Sequence, residues 1–160
     1  MSAPWLTYAR SYIGQKEIPG LKHNSVIVNF FKRIKRGGIK ADEVPWCAAF
    51  VGACLEEAGY VSTRFESARS YLEWGSALGR PCYGCIVVFA RNGGGHVGFA
   101  VGRDLKGRLL ILGGNQGDQV SVAPFDPNRV IGYRWPKGAP YEYIALPETT
   151  CDAASSTQEA

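Results

Sequence analysis

The sequence predicts an α+β fold in which N-terminal helices pack against a C-terminal antiparallel β-sheet. Apolar residues recur at helical spacing through residues 5–74, whereas residues 85–133 carry short apolar runs separated by turns. Within the first region, Glu43–Val51 leads into a segment that is apolar on nearly every face. Helices followed by strands are typical of α+β domains, and a helix without a polar face lies in the interior. We therefore expect this central helix to organise the domain.

Length and composition are typical of one globular domain. The chain has 160 residues, of which 46% are hydrophobic and 20% are charged, enough to bury a core without disulfides or metals. No apolar run approaches the ~20 residues of a membrane span, so membrane insertion is not expected. The N-terminus lacks a basic segment followed by an apolar one, so no signal peptide is expected. Synthesis in the cytoplasm is expected, and an extracellular role would need release or non-classical export.

Each helix is predicted from its apolar spacing and from the residues that bound it. Trp5–Ile13 repeats with a helical period. A second helix is expected to begin at Asn24 or Ser25, both good N-caps, and to end before Gly37. A short amphipathic helix is expected over Ser67–Trp74.

The second half of the chain is predicted to form the sheet. The expected strands are Cys85–Ala90, His96–Val101 and Leu109–Leu112, followed by less regular ones at Val120–Val122 and Val130–Tyr133. The second and third form a hairpin around Asp104–Gly107. Residues 147–160 are polar and small, which predicts a disordered tail after a single domain over residues 1–140.

Charge gives little indication of an anionic polymer partner. The net charge is +4, and the basic residues are dispersed except over Lys32–Arg36. Such a run suits cell wall or nucleic acid, but it is more often the solvated face of a helix. No nucleic-acid-binding motif accompanies it. Nucleic acid is therefore not an expected partner.

The cysteine pattern predicts neither a disulfide framework nor a metal site. There are five cysteines, an odd number. Cys82 and Cys85 form a lone C-x-x-C, and zinc would need two further ligands for which no spacing is present. A turn that leads into a strand is favoured over a redox role for this pair. No cofactor is expected, and the metal prediction is none.

Cys47 is the candidate nucleophile. It follows Pro45 and Trp46 and opens the central helix, which Gly59 is expected to end. At a helix N-terminus, unpaired N–H groups and the positive end of the dipole favour a thiolate over a thiol. A buried cysteine can also be a small hydrophobic residue, which is the reading preferred for Cys54. The choice for Cys47 depends on whether a histidine and a polar partner accompany it.

Two histidines are available as the base. His23 lies in a loop before a helix, whereas His96 opens a strand directly after three glycines, where backbone can approach a ligand closely. A half-buried structural role for His96 is equally compatible with its position. If the hairpin loop is centred between residues 105 and 106, His96 faces Asn115 across the ladder.

The Asn115 side chain would then accept a hydrogen bond from one imidazole nitrogen and turn the other toward the thiol. A bulge would bring Gln116 or Gly114 to this position instead. Cys47, His96 and Asn115 thus supply the nucleophile, base and orienting residue of cysteine acyl-transfer chemistry. Backbone N–H groups at the start of the helix would stabilise the oxyanion.

Three segments carry a resemblance to a known family. Pro45–Val51 (PWCAAFV), Gly95–Phe99 (GHVGF) and Gly113–Asp118 (GGNQGD), in this order, resemble the NlpC/P60 and CHAP superfamily of papain-like cysteine peptidoglycan hydrolases. The similarity covers about residues 5 to 137 and is greatest to a small single-domain bacterial and phage group.

The resemblance implies a papain-like fold with catalytic Cys47, His96 and Asn115. It also implies cleavage of amide bonds in the peptide stem of bacterial cell wall, or between stem and glycan, in phage lysis or an antibacterial role. Trp46, Gln116 and Glu17 are the candidate substrate-binding residues, although a surface charge is the favoured reading for Glu17. The implied partner is peptidoglycan, and a cognate immunity or inhibitor protein is left open.

Two departures from the family pattern limit the subfamily assignment. Relatives carry Gly-Asp before the first core strand, where Gly84 is followed by Cys85, and many CHAP members have a glutamate at the position of Gly113. The second departure argues against an acidic metal site. Two other functions remain open: a non-catalytic module that binds wall peptides, and an acyltransferase on the same fold.

Overall fold

The computed structural model describes residues 3–18, 23–40, 45–91 and 94–156. Its helices are α1 (Trp5–Ser11), α2 (Ser25–Arg33), α3 (Cys47–Glu57) and α4 (Cys151–Ser156), with short 3₁₀ helices at Ala68–Glu73 and Pro127–Arg129. Its strands are β1 (Ser76–Leu78), β2 (Ile86–Arg91), β3 (Gly94–Arg103), β4 (Leu109–Gly113), β5 (Ser121–Phe125) and β6 (Val130–Trp135). The predicted α+β class is confirmed.

The six strands form one sheet in the order β1-β6-β2-β3-β4-β5, and every neighbouring pair is antiparallel. Strands β2, β3 and β4 lie at its centre, where consecutive residues are buried because both faces are covered. The sequence prediction lacked β1, whose three residues are too few to show a period. The other strands lie within three residues of their expected bounds.

Helix α3 is the buried centre that its sequence predicts. Nine of its residues, Cys47–Leu55, are buried, and Gly59 follows its C-cap with a φ of +91°, the left-handed conformation that favours glycine. Helices α1 and α2 pack on α3, and α3 packs on β3. The Phe50 ring lies 5.5 Å from that of Phe30 in α2 and 6.2 Å from that of Phe99 in β3. This aromatic packing fixes α3 between the helices and the sheet.

Helix α2 begins as its sequence predicts. The Asn24 side chain accepts hydrogen bonds from the backbone N–H groups of Val26 and Ile27, at 2.8 and 3.4 Å. The basic run that ends this helix forms ion pairs: Arg33 with Glu57, and Arg36 with Glu66.

The C-terminal segment differs from the disordered tail that its composition predicts. The N–H of Thr149 donates to the carbonyl of Arg103, and the N–H of Arg103 donates to that of Pro147. Helix α4 follows, with Ala154 buried. Its carbonyl accepts a hydrogen bond from the Arg10 guanidinium. Backbone hydrogen bonds therefore order this segment of small residues, and amino-acid composition does not predict such bonds. Residues 157–160 lie outside the described ranges.

Cys82 and Cys85 form the turn that leads into β2, as favoured from sequence. The N–H of Cys85 donates to the carbonyl of Cys82 at 3.1 Å, and both side chains are fully buried. The described cysteines are all free thiols.

Candidate active site

Cys47 lies beside the part of β3 that no longer pairs with β4. Pairing between β3 and β4 runs from Arg103–Leu109 to Phe99–Leu112 and stops there. Val97 and His96, which lie two and three residues before Phe99 in β3, are therefore beyond the ladder, on an edge that β4 does not cover. The N-terminus of α3 fills this place, and the Cys47 thiol accepts a hydrogen bond from the backbone N–H of Val97.

The Cys47 thiol differs from the activated thiolate that its helix position predicts. It is 6% exposed, and burial raises its pKa. Hydrogen bonds from the N–H groups of Val97 and Ala48, and the positive charge of Arg91, lower the pKa in part but do not offset burial. The helix dipole favours a thiolate at Cys47, as expected from sequence, but the desolvation of the buried sulfur outweighs it. In the free protein Cys47 is therefore a protonated thiol at neutral pH.

His96 is held between aromatic rings. It is 4% exposed, and its ring stacks on that of Phe125 at a centroid distance of 5.1 Å and an interplanar angle of 10°. Phe125 stacks in turn on Phe89 at 4.8 Å. Burial lowers the pKa of His96 to about 4, and the charges of Arg91 and Arg129 act in the same direction. The imidazole is therefore neutral at neutral pH and able to accept a proton.

The hydrogen-bond partner of His96 is Gln116. The Nε2 atom of His96 lies 2.9 Å from Oε1 of Gln116. The Gln116 amide nitrogen donates to the carbonyls of Ile111 and Ser121, at 3.0 and 2.8 Å. Because two carbonyl oxygens can only accept, the amide orientation is fixed, and Oε1 must accept from His96. His96 therefore carries its proton on Nε2, which leaves Nδ1 with a free lone pair.

The predicted pairing of Asn115 with His96 is wrong. The expected register is present for Phe99–Leu112, but the ladder ends before it reaches His96. The register of the Phe99–Leu112 pair arises because a bulge at Val101 shifts the pairing by one residue relative to the pairs nearer the turn. Asn115 itself has a φ of +61°, so the chain turns away from the sheet at this residue and Gln116 folds back.

Two glycines make this turn possible. A Cβ atom at Gly113 would lie 2.3 Å from Oε1 of Gln116, so any side chain there would displace the Gln116 amide. At Gly114 a Cβ atom would lie 2.7 Å from the Trp46 ring and 2.8 Å from Cβ of Phe50. These close approaches leave room only for glycine at both positions.

Two clefts meet at this site. A cleft of about 350 Å³, here called the cysteine-side cleft, is lined by Cys47, Ser67 and Gly95 among others. A second of about 520 Å³, the histidine-side cleft, is lined by His96 and Phe125 among others. Arg91 and Asn115 line both clefts. The two spaces are therefore adjacent, with the candidate nucleophile in one and the candidate base in the other.

The candidate substrate-binding residues have other surroundings. Trp46 is fully buried, and its indole N–H donates to Oε2 of Glu17 at 2.8 Å. It lies beneath the site and not in the lining of either cleft. Glu17 is half-buried and serves as the partner of this indole. Gln116 lines the histidine-side cleft, but both its amide oxygen and its amide nitrogen are engaged within the protein.

Arg91, Arg129 and Phe125 belong to the site and were missed from sequence. Arg91 ends β2, Phe125 ends β5 and Arg129 ends a 3₁₀ helix. Their convergence depends on the order of the strands. The sequence indicated only that each residue lies at the end of a strand or helix.

His96 should make the folded protein sensitive to mild acid. An unfolded histidine has a pKa of about 6.5, whereas that of folded His96 is about 4. The unfolded state therefore binds more protons in this interval, so stability is lost as the pH falls from 6.5 toward 4. We expect a loss of about 2 kcal/mol by about pH 5 from this residue. Urea unfolding of the wild type and His96→Gln at neutral pH and about pH 5 measures it, and equal losses in both proteins would contradict it.

Within the described ranges, no group of three or more His, Cys, Asp or Glu side chains is placed to hold a metal ion. Nor does any described helix have the length and apolar character needed to cross a membrane. A scan against protein-family models gives no match. A search of curated proteins finds no significant match either.

Proposed function

We propose that the protein is a cysteine-dependent amide hydrolase that cleaves bacterial peptidoglycan, with a papain-like fold of the NlpC/P60 and CHAP type. The observation that carries the proposal is the placement of Cys47, at the N-terminus of a buried helix, beside the open end of β3 that bears His96. The motifs PWCAAFV, GHVGF and GGNQGD around these residues support the choice of substrate class.

The first half of the reaction forms a thioester. Neutral His96 takes the proton of the Cys47 thiol as Sγ attacks the carbonyl carbon of the amide. N–H groups of the first turn of α3, which have no carbonyl partner within the helix, stabilise the oxyanion. When the tetrahedral intermediate collapses, the C–N bond breaks and the imidazolium gives its proton to the leaving amine.

The second half releases the acyl group. His96 takes a proton from water, the resulting hydroxide attacks the thioester carbonyl, and the C–S bond breaks. The proton returns to sulfur, which regenerates the thiol and the neutral imidazole. Because the Cys47 thiol is protonated in the free protein, this scheme uses general-base catalysis and requires no preformed thiolate–imidazolium pair.

Digestion of purified sacculi tests the proposal. Mass spectrometry of the soluble products distinguishes the two candidate bonds, because an endopeptidase creates a new amine within the stem peptide and an amidase releases the whole stem from the glycan. Binding to sacculi without any released product would favour the non-catalytic binding module instead. Transfer of a wall acyl group to an added amine or alcohol would favour the acyltransferase.

Chelation should leave the reaction intact. Cys47 and His96 supply the nucleophile and base, so no step of this scheme needs a metal ion. We expect EDTA to leave the rate of sacculus digestion unchanged within about twofold, a range that corresponds to less than ~0.5 kcal/mol in the barrier. Loss of activity with EDTA and its recovery with zinc would point to a metalloamidase.

A further inference from the structure

We infer that Arg91 and Arg129 form a carboxylate-binding site in the histidine-side cleft, which selects amides with a free carboxylate on the amine side of the scissile bond. The assignment of the carboxylate to the amine side of the scissile bond rests on the proposed hydrolysis. The presence of the two arginines in the cleft wall does not depend on it.

The two arginines lie at one corner of the sheet. Strand β6 pairs with β2, and Phe89 is opposite Val130, so the residues that follow Phe89 and precede Val130 lie close together. The Arg129 Nη2 atom donates to the carbonyl of Ala90 at 3.4 Å, and its guanidinium lies 5.8 Å from the Phe125 ring centroid. These two contacts place Arg129 in the cleft wall and leave several of its five N–H groups for a ligand.

Neither arginine has a carboxylate partner among the described residues. Four other arginines do: Arg33 pairs with Glu57, Arg36 with Glu66, Arg64 with Glu56 and Arg108 with Asp104.

The residues described around the histidine-side cleft include no Asp or Glu. Two guanidinium groups thus lie beside a buried imidazole with no carboxylate among the described lining residues, and their charges disfavour protonation of the imidazole. A bound carboxylate would relieve this repulsion and accept charge-assisted hydrogen bonds from the planar guanidinium fork.

The direction of proton transfer in the proposed reaction indicates that the bound carboxylate belongs to the amine half of the substrate. In the proposed reaction His96 protonates the leaving amine, so that half of the substrate lies against His96, in the cleft that Arg91 and Arg129 line. The acyl half then occupies the cysteine-side cleft, where Glu66 lines the wall and is already bonded to Arg36 at 2.7 Å. Of the two clefts, Arg129 lines only the histidine-side one, so its charge lies on the amine side, whereas Arg91 borders both halves of the substrate.

Alkylation of Cys47 tests the charge site without requiring turnover. Iodoacetate carries a carboxylate and iodoacetamide does not. The ratio of the iodoacetate rate to the iodoacetamide rate at Cys47 therefore reports the electrostatic potential near the thiol. We expect Arg91→Gln and Arg129→Gln each to lower this ratio by about 2- to 10-fold, as expected for loss of one nearby charge. Peptide mass mapping measures the rates at Cys47 and, as an internal control, at Cys151.

A variant with the same change in net charge controls for long-range effects. Arg64 pairs with Glu56 and lines neither cleft, so Arg64→Gln should leave the Cys47 ratio unchanged. Arg91→Lys, which keeps the charge, should retain most of the wild-type ratio. Ratios that stay at the wild-type value in both glutamine variants would overturn the inferred site.

Paired substrates test the specificity. Two synthetic stem peptides would differ only in whether the residue on the amine side carries a carboxylate or a carboxamide. We expect the wild type to prefer the carboxylate peptide by about 10- to 100-fold in kcat/KM, and each glutamine variant to lose most of that preference. Equal cleavage of both peptides by the wild type would overturn the inferred specificity but leave hydrolysis established. If neither peptide were cleaved while the alkylation ratios responded as expected, the proposed reaction would fail and the anion site would remain.

Discussion

Replacing Cys47 with alanine is expected to abolish peptidoglycan hydrolysis while the fold is retained. The change removes the only atom proposed to form a bond with the substrate, so no thioester can form. Alanine fits the site because Cys47 is the first residue of α3 and its helical neighbours Ala48 and Ala49 are already small and buried. We expect activity below detection in the release of wall fragments, with a melting temperature close to that of the wild type.

A second cysteine in the same helix provides the matched control. Cys54 is fully buried two turns further on, and burial together with the nearby Glu57 charge raises its pKa well above the ordinary value. It is therefore an inert core thiol. Cys54→Ala should keep full activity and lose about 1–2 kcal/mol of unfolding free energy, as expected for a small core truncation. Full hydrolysis by Cys47→Ala, or loss of hydrolysis in a folded Cys54→Ala, would reject Cys47 as the nucleophile.

The fold was predictable where local pattern and burial agree. Helix α3 shows its position through its apolar character, and its end through Gly59 with a positive φ. The strands around His96 and Leu109 were predictable because alternating or continuous apolar runs stand between glycine turns. The short strand β1 and helix α4 were not predictable, since three or six residues carry no period and their stability comes from tertiary contacts.

The placement of Cys47 at a helix start and of His96 on a strand was predictable, whereas the electrostatics around them and the hydrogen-bond partner of His96 were less so. Sequence places Cys47 at a helix N-terminus, yet the sign of its pKa shift depends on burial by β3, which only the assembled fold specifies. Extrapolating the ladder to Asn115 failed because the chain packs closely on Trp46 and Phe50 at Gly114 and turns at Asn115, where φ is +61°. Arg91 and Arg129 meet through the pairing of β2 with β6, a long-range contact that no local pattern encodes.

Replacing Gln116 with alanine is expected to lower kcat by roughly 10- to 1,000-fold, with KM little changed. The Gln116 amide holds the Nε2–H tautomer of His96, so its removal lets the ring rotate and carry its proton on the nitrogen that must accept one. Nucleophile and base remain, and for this reason the loss should be smaller than that of Cys47→Ala. Asn115→Gly is the comparison, because glycine tolerates the φ of +61° at this position and Asn115 has no hydrogen bond to His96 among the described residues; we expect a smaller loss of kcat than for Gln116→Ala.

The tautomer itself distinguishes an orienting role from a purely structural one. Gln116→Ala also leaves the carbonyls of Ile111 and Ser121 without its amide N–H groups, which should cost about 1–3 kcal/mol of stability. A lower rate could therefore reflect partial unfolding, so activity must be measured where the variant is folded. The chain has only two histidines, so ¹⁵N NMR can assign both rings and use His23 as the reference. We expect the wild-type His96 signal to report protonated Nε2, and the Gln116→Ala signal to report a mixture of tautomers. An unchanged tautomer in a slow variant would show that Gln116 acts through the stability of the loop and not through His96.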